Sequence, residues 1–481
     1  MMKMYDVIVI GAGIIGCGIA RELSKYNCRV LVIEKSSDVS TGTTKANSGI
    51  VHAGHDAIPG TLKAKYNVLG SKMYKELSKE LDFPYDNNGA FVLGFDEQDL
   101  ITLKELKNRG LKNNVLNLNI ISGDDARKLE PNISSKALYA LNIPSSAIVS
   151  PFEVCIAYAE SAAINGVEFL FNSEVKEIKK LDDSFIVETD NICFKTKVVV
   201  NCAGLYADKF NNQLSKIKYH IIPRRGDYFL FDKECGDTVK RTIFQCPNIK
   251  GKGVLVTKTV HGNLLVGPSS NNILDKEDKS TDKKDLDIIW EKASRSVKNL
   301  SKKYLITEFS GIRAHLDSGD FVIGFSPDVD GFYNCLGIES PGLASAPAIS
   351  VTAARDIKEF LNLENNKNFV SKRNSIPRVE TMSVNELNEQ IKKDKTYSHI
   401  ICRCEVVSEG EIRESIRRVP GAKDLDGIKR RTRAGMGRCQ SGFCTPKLME
   451  ILSEELGEDM SLITKKGRNS RMLIGKSNDN E

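Results

Sequence analysis

Four cysteines, Cys402, Cys404, Cys439 and Cys444, form a C-x-C pair and a C-x4-C pair separated by 34 residues. Four thiolates suit tetrahedral zinc or a [2Fe-2S] cluster, since both take soft, negatively charged sulfur. Paired cysteines at zinc sites are more often roughly two to four residues apart. Gaps of one and four, with Gly435-Met436-Gly437 nearby to let backbone amides approach sulfur, favour iron–sulfur. At the other end of the chain Gly11-Ala12-Gly13-Ile14-Ile15-Gly16 follows a β-branched run, and Glu34 comes 18 residues after Gly16. In such a pattern Gly11 permits the tight turn, Gly13 lets a pyrophosphate reach a helix N-terminus, and Gly16 allows close packing. Glu34 would accept a ribose hydroxyl.

The glycine pattern alone serves NAD and FAD equally, because both present an ADP half to it. A one-electron iron–sulfur centre in the same chain decides for FAD, since a flavin can take a hydride and release electrons singly.

These residues need elements to hold them. Tyr5 to Ile10 and Arg29 to Ile33 read as strands around a helix from Ile14 to Tyr26, a βαβ opening. Ser36 to His55 is a long polar loop. Helical spacing recurs over Leu62 to Leu81 and Glu153 to Asn165, and strand patterns over Gly89 to Gly94, Val167 to Phe171 and Lys197 to Asn201. Tyr219 to Gly267 reads as several strands of an antiparallel sheet. The expected fold is α/β: a Rossmann-like FAD-binding domain assembled from residues 1–80, 150–210 and 311–361. An antiparallel-sheet substrate domain (81–149, 211–310) is inserted between them. A linker over 362–399, a small [2Fe-2S] domain over 400–456 and a loosely packed tail over 457–481 follow.

Composition limits the alternatives. Apolar residues at 41% and charged residues at 27% describe an ordinary folded chain, and 481 residues suggest two or three domains. The net charge of +6 equals the surplus between Arg413 and Arg438, where nine Lys or Arg face three acids. No aromatics interleave with these charges, so the cluster is local electrostatics beside the cysteines and not a nucleic-acid surface. No apolar run spans a membrane, and the twelve cysteines are not patterned as a secreted scaffold, so a cytoplasmic protein is expected, with peripheral membrane association open through a partner.

The stretch Cys402-Arg403-Cys404 through Lys429-Arg430-Arg431-Thr432-Arg433-Ala434-Gly435-Met436-Gly437-Arg438-Cys439-Gln440-Ser441-Gly442-Phe443-Cys444 resembles the bacterioferritin-associated ferredoxin type of [2Fe-2S] domain. Asn47-Ser48-Gly49-Ile50-Val51-His52-Ala53-Gly54, Pro59 to Lys65, Asn201 to Gly204, Gly311-Ile312-Arg313 and Gly337 to Leu343 resemble the D-amino-acid-oxidase-like flavoproteins, in the branch that oxidises glycerol 3-phosphate and 2-hydroxyglutarate. The pairing of both parts resembles the catalytic subunit of anaerobic glycerol-3-phosphate dehydrogenases.

The resemblance implies roles. His52 would be the catalytic base for a substrate hydroxyl, since an imidazole with the unperturbed pKa of about 6.5 can accept a proton near neutrality. Lys258 and Arg313 would hold the anionic group of a small hydroxy substrate, with Ser48 and Ser340 adding hydroxyls. FAD would meet Gly11, Gly13, Ile15, Gly16, Glu34, Thr43, Thr44, Ser48, Gly49, Ile50, Val51, Ala203 and Gly204. Val175 would lie by the adenine, and Gly337, Ile338, Gly342 and Leu343 by the isoalloxazine. Cys402, Cys404, Cys439 and Cys444 would ligate the cluster, which relays electrons to a redox partner and whose charge the nearby Lys and Arg would offset. His55-Asp56-Ala57 departs from the 2-hydroxyglutarate pattern and points to glycerol 3-phosphate as substrate. L-2-hydroxyglutarate dehydrogenase, an amine or amino-acid dehydrogenase subunit, and an electron-transfer module with no substrate of its own are the other readings.

Overall fold

A computed structural model describes residues 3–247 and 253–475. The opening strand Met4–Ile10 lies inside an eight-stranded sheet, parallel to Val30–Ile33 on one side and to Cys193–Asn201 on the other. Its alternate side chains enter two cores, Val7 and Val9 on one face and Ile8 and Ile10 on the other. That is why the run is apolar without a gap. Helices Ile14–Leu23, Pro151–Ile164 and Gly342–Leu361 cover the first face through Ile19, Tyr158 and Ile349.

The second sheet has nine strands. Its longest pairing joins Ile221–Phe231 to Leu305–Leu316 antiparallel, and helix Lys283–Ser296 covers one face through Leu286, Ile289 and Ala293. Two expectations change here. Residues 311–316 continue a strand of this sheet and do not return to the first unit. The sheet is also not wholly antiparallel, since Thr242–Gln245 runs parallel to Ala90–Gly94.

The C-terminal module packs helices Glu409–Arg417, Leu425–Thr432 and Thr445–Leu456 around Ile412, Ile428, Leu448 and Leu452. The tail is anchored at a few points over its described part while most of its residues, 471–475 among them, stay exposed. Ile463 is buried in this core, Leu425 N–H donates to the Thr464 carbonyl (3.2 Å), and Met472 N–H returns to Ile463 (3.1 Å); residues 476–481 of that predicted tail lie outside the described residues. The connector is likewise anchored. Arg373 is buried, with Nε on Glu160 (2.6 Å) and Nη1 on the Leu81 carbonyl (2.8 Å), before the exposed helix Val384–Lys393.

The cationic cluster is mostly paired. Arg413 and Arg417 bind Glu455, Arg418 binds Glu160, Arg433 binds Glu405, and Arg430 and Arg431 both bind Asp38. Charge that looked like an electrostatic setting for the cysteines is largely consumed in contacts within the module and with the first unit. Among the described residues no helix is long and apolar enough to cross a membrane.

Candidate functional site

One cavity of about 1090 Å³ opens between the two sheets. The glycine turn forms one part of its wall. Gly11 has φ +99°, and a Cβ there would stand 2.5 Å from the Cys202 carbonyl oxygen. Gly13 has only the Thr44 hydroxyl near its Cβ direction, at 3.4 Å, so the wall stays open at the start of helix Ile14–Leu23. Gly16 lies behind the wall, where a Cβ would meet the Gly11 carbonyl at 2.0 Å; it packs helix against turn, as its spacing suggests. Glu34 lines the cavity, and its carboxylate accepts N–H groups of Ala12 (2.8 Å) and Ser36 (2.9 Å). A second helix, Gly342–Leu361, begins in the same wall and turns its partly positive end toward the cavity.

The long polar loop 36–55 bridges the two sheets. Thr44 Oγ1 accepts the Ile14 N–H at 3.1 Å, and Thr43 Oγ1 donates to the Ile312 carbonyl at 2.7 Å. Gly311 is needed opposite, because a Cβ there would lie 1.9 Å from the Ala46 carbonyl oxygen. The loop therefore carries Ser48 and His52 from the glycine turn to the second sheet. The His52 ring lies 5.7 Å from that of Phe244, and its carbonyl accepts the Asn67 amide. Arg313 stands opposite Arg224 across paired strands, and its Nη2 donates to the Ser269 carbonyl at 2.7 Å.

The cavity wall brings together Gly11, Gly13, Ile15, Glu34, Thr43, Thr44, Ser48, Ile50, His52, Val175, Ala203, Gly204, Arg313, Ile338, Ser340, Gly342 and Leu343. Gly49, Val51 and Gly337 stand behind it with Gly16. Gly49 (φ +69°) is packed on the Val149 carbonyl, Val51 is buried, and Gly337 (φ +69°) abuts Leu316.

Lys258 is a correction. It shares the face of Val256, which packs in the helix-covered core of the sheet, whereas Leu255 lines the cavity. Side chains alternate along a strand, so Lys258 points away, and its ammonium pairs with Asp237 at 2.5 Å. Sequence reasoning missed Tyr228 and gave no role to Lys63 and Glu339, which lie in segments it singled out; all three are in the wall. Burial raises the Tyr228 phenol above its usual value, so it stays neutral, and Glu339 accepts from Lys63 (2.8 Å) and lies 2.9 Å from His315 Nδ1. Alternation along Ile221–Phe231, which puts Arg224, Gly226 and Tyr228 on one face, is the signal that reaches Tyr228.

The cysteines come in two pairs. Cys404 and Cys439 sulfurs are 3.7 Å apart, and Cys402 shares a hydrogen bond with Cys444. That bond, with N–H groups of Gly435 and Glu405 directed at its sulfur, lowers the Cys402 thiol to about 6. Gly437 leaves room for Cys404, whose Cβ lies 2.2 Å from where its own would be. Among the described residues no three ligating side chains converge on one point, as a single ion would ask. Two thiol pairs instead match two irons, so the donor set fits a dinuclear cluster.

Residues 6–355 match the family model described as FAD dependent oxidoreductase. The chain belongs to that family. Residues 400–454 match the BFD-like [2Fe-2S] binding domain, so this family member carries both an FAD site and a cluster site. It is 50% identical to a glycerol 3-phosphate dehydrogenase of Caloramator mitchellensis, over 98% of each chain. It is 33% identical to a glycerol 3-phosphate oxidase of Mycoplasma pneumoniae, over 74% of this chain and 94% of the relative. Among solved structures it resembles the dithionite-reduced L-alpha-glycerophosphate oxidase of the same organism with FAD bound. The TM-score is 0.74 at 32% identity, covering 79% of this chain and all of the other. Glycine oxidase from Geobacillus kaustophilus, at TM-score 0.68 and 20% identity, covering 76% of this chain and 96% of the other, shares the fold.

Proposed function

We propose that the chain oxidises sn-glycerol 3-phosphate to dihydroxyacetone phosphate and sends the electrons through the cluster to a partner. The observation that carries this reading is that one cavity joins the glycine turn to His52, Ser48 and Arg313. The relatives named for glycerol 3-phosphate align over 98% and 94% of their own length, whereas the L-2-hydroxyglutarate dehydrogenase of Indibacter alkaliphilus aligns over 68% of its own.

FAD, when bound, supplies a two-electron hydride acceptor, and the cluster a one-electron carrier. The chain's own residues do the rest. Arg313 holds the phosphate with charged, forked donors. A ring nitrogen of His52 takes the proton of the C2 hydroxyl as its carbon hydrogen leaves. Phe244 packs beside that ring and Asn67 fixes the main chain under it, so the imidazole enters with its orientation already set. Ser48 and Ser340 line the space where the remaining C1 hydroxyl would bind. A cytoplasmic setting accords with twelve cysteines that are all outside disulfides.

The test is an anaerobic mixture of the FAD- and cluster-loaded protein with each substrate. Glycerol 3-phosphate should bleach the flavin and then reduce the cluster. Bleaching by 2-hydroxyglutarate but not by glycerol 3-phosphate would overturn the substrate. A flavin reduced by neither, but by an added redox protein, would favour a pure electron-transfer module.

A further inference from the structure

Asp38 is buried at 1% exposure on the loop between Glu34 and Thr44, and it is gripped by the C-terminal module. Its Oδ2 accepts from Arg430 Nη2 (2.6 Å) and Arg431 Nη1 (2.6 Å), and its Oδ1 from Arg431 Nη2 (2.8 Å). Both arginines are buried. Beside them Ser37 donates to Asp424 at 2.5 Å, and Arg431 also donates to the Pro420 carbonyl at 2.9 Å.

The contact joins the nucleotide-binding turn to the cysteine module. On one side, two residues past Asp38, the Ser40 N–H donates to the Ala12 carbonyl (3.0 Å) in the glycine turn. On the other, helix Leu425–Thr432 carries both arginines and runs straight into Gly435, whose N–H is directed at the Cys402 sulfur. A short chain of bonds thus connects the turn that would hold the pyrophosphate to the loop that would hold the cluster.

We infer that Asp38 is the positioning residue that sets the register of the [2Fe-2S] module on the flavin unit. Its effect falls on electron transfer between the two sites and not on substrate oxidation. An exposed ion pair would tolerate sliding. A dry carboxylate bridging two guanidiniums does not, because any displacement leaves buried charge without a partner. The inference rests on the relay reading above. In each turnover the alcohol gives up two electrons and two protons, and the electrons leave the cluster one at a time to a one-electron acceptor protein.

The experiment compares the full-length, FAD- and cluster-loaded protein with its Asp38→Asn and Asp38→Glu variants under anaerobic rapid mixing with glycerol 3-phosphate. Flavin bleaching is followed optically and the reduced cluster by freeze-quenched electron paramagnetic resonance. Asp38→Asn should bleach within about twofold of wild type, while the cluster signal appears on the order of tenfold to a hundredfold more slowly. Asp38→Glu, which keeps the charge, should recover part of that loss. Equal slowing of both signals, or an unchanged cluster signal in Asp38→Asn, overturns the role. Should Asp38→Asn fail to fold, Asp38→Glu decides alone: a cluster signal at the wild-type rate then overturns it. A wild-type cluster that stays oxidised after its flavin has bleached removes the relay reading, and this inference with it.

Discussion

Ser48 and Tyr228, 180 residues apart in the chain, meet hydroxyl to hydroxyl at 3.3 Å in the cavity wall. One comes from the loop that leaves the nucleotide-binding unit and the other from the long strand pair of the second sheet. The site is therefore complete only where the two units touch. Tyr228 also stacks on Phe309 at 4.8 Å between ring centroids, which fixes the phenol. Replacing it with Phe removes one hydrogen-bonding group and leaves the stack. Steady-state kinetics should show a KM for glycerol 3-phosphate raised about threefold to tenfold with unchanged FAD content.

His52→Ala should slow anaerobic flavin bleaching by about a hundredfold to ten-thousandfold, the usual range for loss of a general base. Thermal melting of the FAD-loaded variant should stay near wild type, since the His52 side chain lines the cavity and belongs to none of the buried cores.

Arg313 and Lys258 should behave differently. Arg313→Ala should raise KM for glycerol 3-phosphate by about tenfold to a hundredfold, and Arg313→Lys should recover only part of this because the fork is lost. Lys258→Ala should leave KM within about twofold, since it breaks only a pair with the exposed Asp237. An equal rise in KM for both would return Lys258 to the site.

Cys439→Ser removes one thiolate of the exposed pair. The reduced-cluster resonance should disappear, while substrate still bleaches the flavin at the wild-type rate.

Glu411 gives a pH dependence. Burial pushes its carboxyl up to about 7, against the pull of the Ser408 N–H it accepts in a capping box. A carboxyl raised in the folded state favours the protonated form, so this group weakens the fold as pH rises from about 4.5 to 7 and adds no further penalty above that. Glu411→Gln should raise the melting temperature of the C-terminal module at pH 8 and flatten its profile between pH 5 and 7, by calorimetry, with a gain on the order of 1 to 3 kcal/mol.

Much of this was legible in sequence because it is local. The glycine turn and the helix after it depend on neighbours within a few residues, and the structure arranges them as their spacing implies, whereas the cysteines pair across the module, Cys404 with Cys439 and Cys402 with Cys444. What escaped reading depends on register between distant strands. Nothing in the sequence pairs Arg224 with Arg313, or fixes which face of its short strand Lys258 takes. The arginines from Arg413 to Arg438 show the same limit. Their number suggested an electrostatic field, but Asp38 and Glu160, the partners that neutralise Arg430, Arg431 and Arg418, lie hundreds of residues earlier.

The anchoring of Arg373 to Glu160 and to the Leu81 carbonyl, ahead of the exposed helix Val384–Lys393, has a mechanical result. The C-terminal module is held from both sides of that helix, by the strap before it and by Asp38 after it. A single proteolytic nick in the helix should then leave both fragments travelling together as one particle, because the peptide bond there connects bodies already joined.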